Sequence, residues 1–299
     1  VQNQIANLLV AQGFYEIMTN SLVSETLQNL VDSNAKPVHM LNPLSNDMGI
    51  LRTNMLISGL DTVLYNLNRQ KLRGKFFEFG KTYQKNGEGY DEKTHLSIFV
   101  FGLKNPQNWN TQNAPTDFFF LKGIVEGILE RNGISGYTAE SVMGETGIAE
   151  GLTLKHQQKA LVHYGAVDKA ILKAVGIKTE VFFADFDWDS ISKLMTSREV
   201  LFKEVPKYPA VTRDLALLLD DSVSFEAVEN IAWKTERKLL KSVTLFDVYT
   251  GKNLPDNKKS YAVSFTLQDE NKTLTDKQID KIMGKLQVAF ERDLSASLR

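Results

Sequence analysis

The spacing of apolar side chains in the last third of the chain follows two different periods, and each period predicts one type of element. Residues 260–268 alternate strictly between apolar and polar, which is typical of a half-buried β-strand. Residues 275–278 match a capping box, in which two side chains satisfy backbone N–H groups at the start of a helix. The helix predicted to follow has an apolar stripe formed by Ile279, Ile282, Met283, Leu286 and Phe290.

The neighbouring patterns complete a split β-α-β-β-α-β unit. The apolar run at residues 213–219 predicts a first strand, and Ser224 is placed to cap the helix that follows it. Residues 243–250 are rich in β-forming side chains and stop at Gly251, while residues 296–299 predict a short last strand. This order of elements is that of a ferredoxin-like domain.

Alternation along the two central strands predicts one bulky and one small face for this sheet. Tyr261, Val263 and Phe265 form the bulky set, and we expect them to pack beneath the two helices. By the same alternation, the side chains of Phe246 and Val248 are expected to point to one common face of the neighbouring strand. Two helices cover only one face, so the other face is expected to offer a flat ligand a surface. That face is predicted to carry Ser260, Ala262, Ser264 and Thr266 from one strand and Leu245, Asp247 and Tyr249 from its neighbour.

The part of the chain before residue 203 is mixed α/β and less regular. Helical spacing of apolar residues predicts helices over residues 54–68 and 118–131, and a more polar helix is expected over residues 189–198. Several connections are of hairpin type, so the sheet is expected to be mostly antiparallel. Its strands are predicted at residues 14–21, 38–41, 76–80, 96–101, 160–164 and 181–186.

Two prolines mark the predicted domain boundary. Pro206 and Pro209 forbid a regular helix and favour an extended connection. We therefore expect one domain over residues 1–202 and a second over residues 206–299. The length agrees, because 299 residues correspond to two domains of roughly 150 residues each.

Charge and composition exclude several classes of protein. The chain carries 35 Lys+Arg against 36 Asp+Glu, for a net charge of −1, so a strongly basic nucleic-acid-binding protein is excluded and any RNA contact must rest on local patches. Cysteine is absent, which excludes disulfides and thiolate metal sites. Without a leader pattern or an apolar run near the ~20 residues of a membrane span, we expect a cytoplasmic protein without a membrane partner. The chain starts without Met inside a helical pattern, so we expect it to be part of a longer polypeptide.

Few side chains form a pattern that predicts catalysis. The sequence has no Gly-rich phosphate loop, and its four histidines lack metal-ligand spacing. Glu78 lies between phenylalanines and could be a partly buried acid with a functional role, but the favoured interpretation is that it faces outward from a strand. The acids at residues 185–189 could bind a cation, but the favoured interpretation is the exit of a strand into solvent. A basic cluster is predicted on a helix and is interpreted as a solvated face; its members are Lys234, Arg237, Lys238 and Lys241. Lys258 and Lys259 are better candidates for binding a phosphate.

Several blocks of the sequence resemble the beta subunit of bacterial phenylalanyl-tRNA synthetase. In the last domain they are Pro-Lys-Tyr-Pro-Ala-Val-Thr-Arg-Asp at 206–214, Phe-Asp-Val-Tyr-Thr-Gly at 246–251, Lys-Lys-Ser-Tyr-Ala at 258–262 and Thr-Leu-Thr-Asp at 273–276. The first domain carries five more, at residues 41–45, 51–53, 66–69, 77–80 and 117–126. The resemblance covers essentially the whole chain, which corresponds to less than half of that family's full-length subunit.

The resemblance implies an α+β fold, in which a class II synthetase-like, mostly antiparallel sheet precedes the ferredoxin-like domain. It also implies that the first domain is a non-catalytic core, so this chain is expected to be inactive alone although it belongs to an aminoacyl-tRNA ligase. The sequence agrees, because the Gly-rich Glu-Arg motif of an active class II site is absent and no Arg is expected in the ATP-clamping place near residues 76–80. The resemblance assigns ATP and Mg²⁺ to the alpha subunit of an alpha2-beta2 heterotetramer and no cofactor or metal to this chain.

The resemblance further places the tRNA(Phe) anticodon on the small face of the last domain. Carried over by position, Ala216, Asp247, Tyr249 and Ser260 line that face, with Arg299 nearby. Tyr249 is expected to stack on a base, Asp247 to accept hydrogen bonds from a base edge, and Ala216 to permit close approach. The residues alone leave an alternative open, in which the β-α-β-β-α-β unit is a small-molecule regulatory or protein-docking module without RNA binding.

Overall fold

The protein is a mixed α+β chain that forms two compact units, residues 1–200 and residues 201–299. The computed structural model describes residues 1–110, 113–196, 202, 204–251 and 254–298. Among these residues, none of the helices combines the length and the apolar composition that a membrane crossing requires.

The described part of the first unit contains six helices and nine strands. The helices are α1 (Gln2–Ala11), α2 (Glu25–Val31), α3 (Leu56–Leu67), α4 (Phe118–Arg131), α5 (Lys169–Val175) and α6 (Trp188–Thr196). The strands are β1 (Tyr15–Glu16), β2 (Leu22–Val23), β3 (Ile50–Leu51), β4 (Gly74–Asn86), β5 (Gly89–Phe101), β6 (Thr138–Glu145), β7 (Ile148–His156), β8 (Lys159–Val167) and β9 (Val181–Asp187).

Seven of these strands form one sheet with a hydrophobic core on each face. The strand order is β1-β4-β5-β9-β8-β7-β6, and every neighbouring pair is antiparallel except β1 with β4. Phe77 and Ile98 lie in the core that includes residues of α1, α4 and α6, whereas Phe76 and Phe99 lie in the core that includes residues of α3 and α5. The prediction of a mostly antiparallel sheet is confirmed.

The second unit has the predicted order of elements. They are β10 (Val211–Asp220), α7 (Phe225–Thr235), β11 (Leu240–Tyr249), β12 (Lys258–Leu267), α8 (Asp276–Leu294) and β13 (Ser297–Leu298). The strand order is β11-β12-β10-β13, and all three pairs are antiparallel. The first and third strands of the unit are therefore central, as the split β-α-β-β-α-β topology requires.

Alternate side chains of β12 fill the core shared with α7 and α8. Tyr261, Val263 and Phe265 are all buried, as predicted for the bulky face. The ring of Phe265 lies 5.9 Å from the ring of Phe290 of α8, measured between centroids. A slip of one residue would exchange the two faces, so burial of this set fixes the register of β12.

Both helices of the second unit begin at the predicted caps. The Ser224 hydroxyl oxygen accepts a hydrogen bond from the Ala227 N–H at 3.2 Å. The Thr275 N–H donates to the Gln278 side-chain oxygen at 3.1 Å, which is half of the capping box at the start of α8. These caps satisfy backbone groups that would otherwise lack partners at a helix start.

Three predictions for the first unit are wrong in detail. Residues 14–21 form a strand only at Tyr15–Glu16, and residues 38–41 contribute a single bridge between His39 and Ile50. The hairpin of β6 and β7 has no counterpart among the predicted strands. Its outer strand is an exposed edge with few buried side chains, so apolar alternation is weak there.

Glu78 is buried, against the interpretation that it faces outward from its strand. It is 4% exposed. Its Oε1 atom lies 3.1 Å from Nη2 of Arg52, and its Oε2 atom accepts a hydrogen bond from the Thr19 hydroxyl at 2.7 Å. The interpretation fails because both faces of β4 are covered, so neither side of the strand faces solvent at this point.

The acids of residues 185–189 are also engaged within the first unit and do not simply lead into solvent. Asp185 lies 3.0 Å from Nδ1 of His95. Asp187 accepts a backbone hydrogen bond at 2.8 Å in the first turn of α6, and Asp189 accepts one from the Thr94 N–H at 2.9 Å. These carboxylates therefore have a structural role at the junction of β5, β9 and α6.

Candidate nucleic-acid interface

The second unit has one sheet face that carries neither of its helices, and we call it the helix-free face. Residues paired across antiparallel strands point to the same face of a sheet. Register pairs Ala262 with both Ala216 and Asp247, which gives one row across three strands. It pairs Ser260 with both Leu218 and Tyr249, which gives the adjacent row. The structure thus brings Ala216, Asp247, Tyr249 and Ser260 together on the helix-free face.

A β-bulge in β11 changes the alternation expected for this strand. Leu245 pairs with Val263, but the next pair along β12 is Asp247 with Ala262, so Phe246 is the extra residue. Leu245 therefore lies on the helix side with Val263 and not beside Asp247, which corrects the predicted assignment. Phe246 does not pack beneath the helices either, because it is 57% exposed.

The ring of Tyr249 lies close to the backbone at the end of β11. Its side chain is partly buried, so the ring rests against the protein on one side. A Cβ atom added at Gly251 would lie 2.7 Å from the Tyr249 hydroxyl oxygen and 2.8 Å from Cζ. A side chain at position 251 would therefore displace the ring, and glycine is what permits this placement.

Small side chains form the floor of the helix-free face. Ser260 is only 6% exposed, because it lies in the row between Leu218 and Tyr249. Ala216 and Ala262 are partly exposed in the neighbouring row. Ala216, Ser260 and Ala262 therefore present little side-chain bulk on this face.

Charged groups at the helix-free face have both signs. Asp247 is exposed in the row of small residues, and the Asp214 carboxylate accepts a short hydrogen bond from the Ser264 hydroxyl in the next row. Lys258 pairs with Asp220 and lies two residues before Ser260, so it extends the same face. This mixed pattern agrees with a chain of near-zero net charge.

Lys259, predicted as a phosphate candidate, lies on the opposite face. It pairs with the buried Leu219. Its Nζ atom donates to the Asp221 carbonyl oxygen at 2.7 Å and lies 4.9 Å from the centroid of the Tyr261 ring. Only Lys258 of this pair is therefore placed to meet a phosphate at the helix-free face.

The predicted basic cluster does not share one helix face. Lys234 lies in α7, which ends at Thr235, so Arg237 and Lys238 follow the helix. Lys241 lies in β11 and forms an ion pair with Glu270 at 2.9 Å. The four cations therefore lack the common orientation that a phosphate patch on a helix needs.

The predicted site extends beyond the five residues named from the sequence. Arg299 lies outside the described residues, but Ser297 pairs with Leu218, so β13 continues the row of Tyr249 and Ser260. The sequence did not single out Leu218 or Gly251 as site residues. The signal for Leu218 is its position two residues after Ala216, and that for Gly251 is its place just after an aromatic strand end.

The described part of the first unit offers no cluster of side chains suited to a metal ion. In the described ranges, no three His, Asp or Glu side chains converge as a metal site would require. Arg52 reaches the sheet near residues 76–80, where a Cβ atom added at Gly80 would lie 2.5 Å from its Nη2 atom. That guanidinium is held by Glu78, so it is not placed as a free cation for a phosphate.

Comparison with known proteins agrees with this division of the chain. Residues 1–188 match the family described as phenylalanyl tRNA synthetase beta chain CLM domain, and residues 206–299 match the ferredoxin-fold anticodon binding domain. A pyrrolysyl tRNA synthetase from Desulfitobacterium hafniense has a similar fold, with a TM-score of 0.50 at 17% identity over 66% of each chain.

Similar sequences cover the chain from end to end. Phenylalanine–tRNA ligase beta subunits of Bacteroides fragilis and Porphyromonas gingivalis are 43% and 38% identical to it over all of its length. The chain spans 38% of the length of each of these relatives. The chain belongs to the phenylalanine–tRNA ligase beta subunit family.

Proposed function

We propose that this chain is the non-catalytic C-terminal part of a phenylalanine–tRNA ligase beta subunit and that it binds the anticodon of tRNA(Phe). The helix-free face carries the proposal, because it sets an aromatic ring beside a floor of small residues. The match of residues 206–299 to an anticodon-binding family supports the same location. No observation favours the alternative of a regulatory or docking module without RNA.

In the proposed interface each side chain has a separate task. The Tyr249 ring stacks on an unpaired base, since aromatic side chains receive splayed bases in single-stranded RNA recognition. The exposed Asp247 carboxylate accepts hydrogen bonds from the amino group of a base edge. Ala216 and Ser260 provide the low floor, and Arg299, which lies outside the described residues, is proposed to contribute a cation. Few phosphates are neutralised by so balanced a surface, so binding by this chain alone is expected to be weak and to depend only modestly on salt.

The first domain, residues 1–202, is proposed to support a catalytic alpha subunit in an alpha2-beta2 assembly located in the cytoplasm. ATP and Mg²⁺ belong to the alpha subunit in this proposal. The guanidinium of Arg52 in the first unit is paired with Glu78, so it is not free to hold a triphosphate. Co-purification with the alpha chain tests this role, and an interface larger than about 2,000 Å² is expected for an obligate assembly.

A binding measurement tests the RNA contact directly. Fluorescence polarisation of a labelled RNA hairpin with the tRNA(Phe) anticodon loop is compared for the parent chain, Tyr249→Ala and Tyr249→Phe. Loss of a stacked base costs about 1–3 kcal/mol, or about 5- to 150-fold in affinity, for the Ala variant, whereas the Phe variant retains most of the binding.

The matched control removes a tyrosine of the first unit. Tyr90 is 69% exposed at the hairpin of β4 and β5 in the first unit. Tyr90→Ala is expected to bind the hairpin as the parent does. Equal binding by Tyr249→Ala and the parent at low salt would refute the stacking assignment.

A further inference from the structure

Two further rows of the helix-free face lie beyond the row of Asp247, and the proposed contacts of Tyr249 and Asp247 do not use them. Five of their six side chains end in a hydroxyl group and the sixth is a carboxylate, so we call them the hydroxyl rows. Their members, in the order β10, β12 and β11, are Asp214, Ser264 and Thr244 in the nearer row and Thr212, Thr266 and Ser242 in the farther row.

The composition of the hydroxyl rows indicates which part of a nucleotide they suit. Their six members include no Lys or Arg, so they lack the cations that bind phosphate groups. They also include no aromatic side chain, so a base finds no ring on which to stack. Ribose is the remaining part of a nucleotide, and its 2′-hydroxyl both donates and accepts hydrogen bonds. The hydroxyl rows therefore match the sugar.

The Asp214 carboxylate is the strongest acceptor of the hydroxyl rows, because hydrogen bonds to an ionised group are stronger than those between neutral groups. Asp214 is exposed, and its Oδ1 atom accepts a short hydrogen bond from the Ser264 hydroxyl. A carboxylate has about four acceptor positions on its two oxygens, so Oδ2 is still able to accept. Dinucleotide-binding folds use an acidic side chain in this way, to hold the 2′-hydroxyl of a ribose.

The hydroxyl groups around Asp214 retain their capacity to bind a ligand. Thr212 and Thr244 are exposed, and neither hydroxyl has a hydrogen-bond partner among the described residues. Ser264 pairs with Asp214 on one side and with Thr244 on the other, so an acceptor and a donor flank one position of the sheet. A ribose offers a hydroxyl to the acceptor and a second sugar oxygen to the donor.

The distance along β12 assigns the hydroxyl rows to a neighbouring nucleotide. Ser264 lies four residues from Ser260, whose row holds Tyr249, or about 14 Å at about 3.4 Å per residue. The ribose that meets Asp214 is therefore not that of the base stacked on Tyr249. Lys258 extends the face on the other side of the Tyr249 row, so a phosphate is favoured at that end and repelled by Asp214 at this one.

We propose that the hydroxyl rows bind the ribose of a nucleotide near the one stacked on Tyr249. Its 2′-hydroxyl donates to Oδ2 of Asp214, and a second sugar oxygen accepts from the Thr244 hydroxyl. This contact rests on the proposed RNA binding and deepens it, because it gives the helix-free face a preference for ribose over deoxyribose. Stacking on Tyr249 gives no such preference, since every base has a flat face that can stack.

Two hairpins with the same bases test the ribose contact on the full 299-residue chain by fluorescence polarisation. One is the labelled RNA hairpin with the tRNA(Phe) anticodon loop, and the other carries 2′-deoxyribose at every loop nucleotide. The parent is expected to bind the deoxyribose hairpin about tenfold more weakly, as for the loss of one hydrogen bond to a charged acceptor. Equal affinity of the parent for the two hairpins overturns the proposal.

Three variants locate the contact through the ratio of the two affinities, which cancels any general gain in RNA affinity when a negative charge is removed. Asp214→Ala is expected to reduce the preference to about twofold or less, and Thr244→Val, which keeps the side-chain shape, is expected to reduce it in part. Asp280→Ala removes an exposed carboxylate of α8 and is expected to keep the parent's preference. Undiminished preference in Asp214→Ala and Thr244→Val overturns the proposal, and Thr244→Val alone decides if Asp214→Ala does not fold.

Tyr249→Ala separates failure of the ribose contact from failure of the proposed function. This variant is expected to weaken binding of both hairpins and to keep the preference for ribose, because the stacked base and the ribose contact different rows. If Tyr249→Ala weakens binding but the parent shows no preference for ribose, only the ribose contact is wrong. If the parent binds neither hairpin, the RNA contact and the ribose contact are both wrong.

Discussion

The polar side chains of the two sheets lie in different environments. In the first unit both faces are covered, and buried polar groups such as Glu78 and Arg52 are paired with each other. In the second unit one face is covered by α7 and α8, and the other carries Tyr249 beside the small Ser260. The first sheet therefore uses most of its polar chemistry to hold itself together, whereas the second presents a surface suited to a flat partner.

This difference shows why two units that are both built on an antiparallel sheet need not have the same function. A sheet with antiparallel neighbours is common to both units, but function follows the side chains on its faces. The acids at the end of β9 are committed to His95 and to the backbone near α6. The exposed Asp247, in contrast, lies among small neighbours on the helix-free face.

The largest expected effect comes from breaking the buried ion pair of the first sheet. Arg52→Leu leaves the Glu78 carboxylate buried without its cation, which is expected to destabilise the first unit by about 3–5 kcal/mol. Native-state hydrogen exchange measures the protection of backbone amides separately in β5 of the first unit and in β12 of the second. We expect protection to fall in β5 and to stay unchanged in β12.

A double variant provides the control for that experiment. Arg52→Met combined with Glu78→Leu removes both charges, so most of the lost stability is expected to return. Equal loss of protection in β5 and β12 would show that the two units do not differ as described. Full destabilisation of the double variant would show that packing and not charge dominates at this site.

A smaller effect is expected from the glycine beside Tyr249. In Gly251→Ala the new Cβ atom forces the ring away from its position, at a cost of about 0.5–1.5 kcal/mol for a strained side-chain rotamer. The affinity for the anticodon hairpin, measured by polarisation, is expected to fall by a few-fold. Gly284→Ala in α8 is the control, because no atom lies within 4 Å of its added Cβ. Unchanged affinity in Gly251→Ala would mean that the ring position is unimportant for binding.

The smallest effect is a pH dependence confined to the first unit. Burial opposes the charged form of His95, yet Asp185 and Asp187 raise its pKa in the folded protein, with Lys93 acting against them. A raised pKa means that the His95–Asp185 pair stabilises the first unit fully below the ordinary histidine pKa of about 6.5, and that this stabilisation is lost as the pH rises through the folded value. Urea unfolding of the parent and of His95→Gln between about pH 5.5 and pH 8 measures how the free energy of unfolding depends on pH. A similar slope in the variant would assign the effect to another group.

The second unit was largely predictable from its sequence because its patterns are local. Strict alternation in β12 and a capping box before α8 are set by neighbouring residues, and both are found in the structure. One exception is the bulge at Phe246, which moved Leu245 to the helix side. An extra residue in a strand depends on pairing with β12, which alternation along one strand does not reveal.

The first unit was less predictable because its polar residues acquire partners far apart in the chain. Glu78 and Arg52 are separated by 26 positions, and Asp185 and His95 by 90. A carboxylate in a strand is most often exposed, so the sequence alone favoured solvent for both acids. The residues proposed to contact RNA were named through family resemblance, and their role stays a prediction.

The central claim is that an unpaired nucleotide lies on the helix-free face, and one pair of charge variants tests it most directly. Ala216→Glu adds a negative charge to that face, and Val288→Glu adds the same charge to the exposed surface of α8. With both variants folded as the parent by circular dichroism, polarisation of the labelled anticodon hairpin is expected to show at least about tenfold weaker binding for Ala216→Glu. Val288→Glu is expected to bind within about twofold of the parent, because a single exposed charge away from the contact is largely screened by salt. Equal affinity of the two variants would contradict the account.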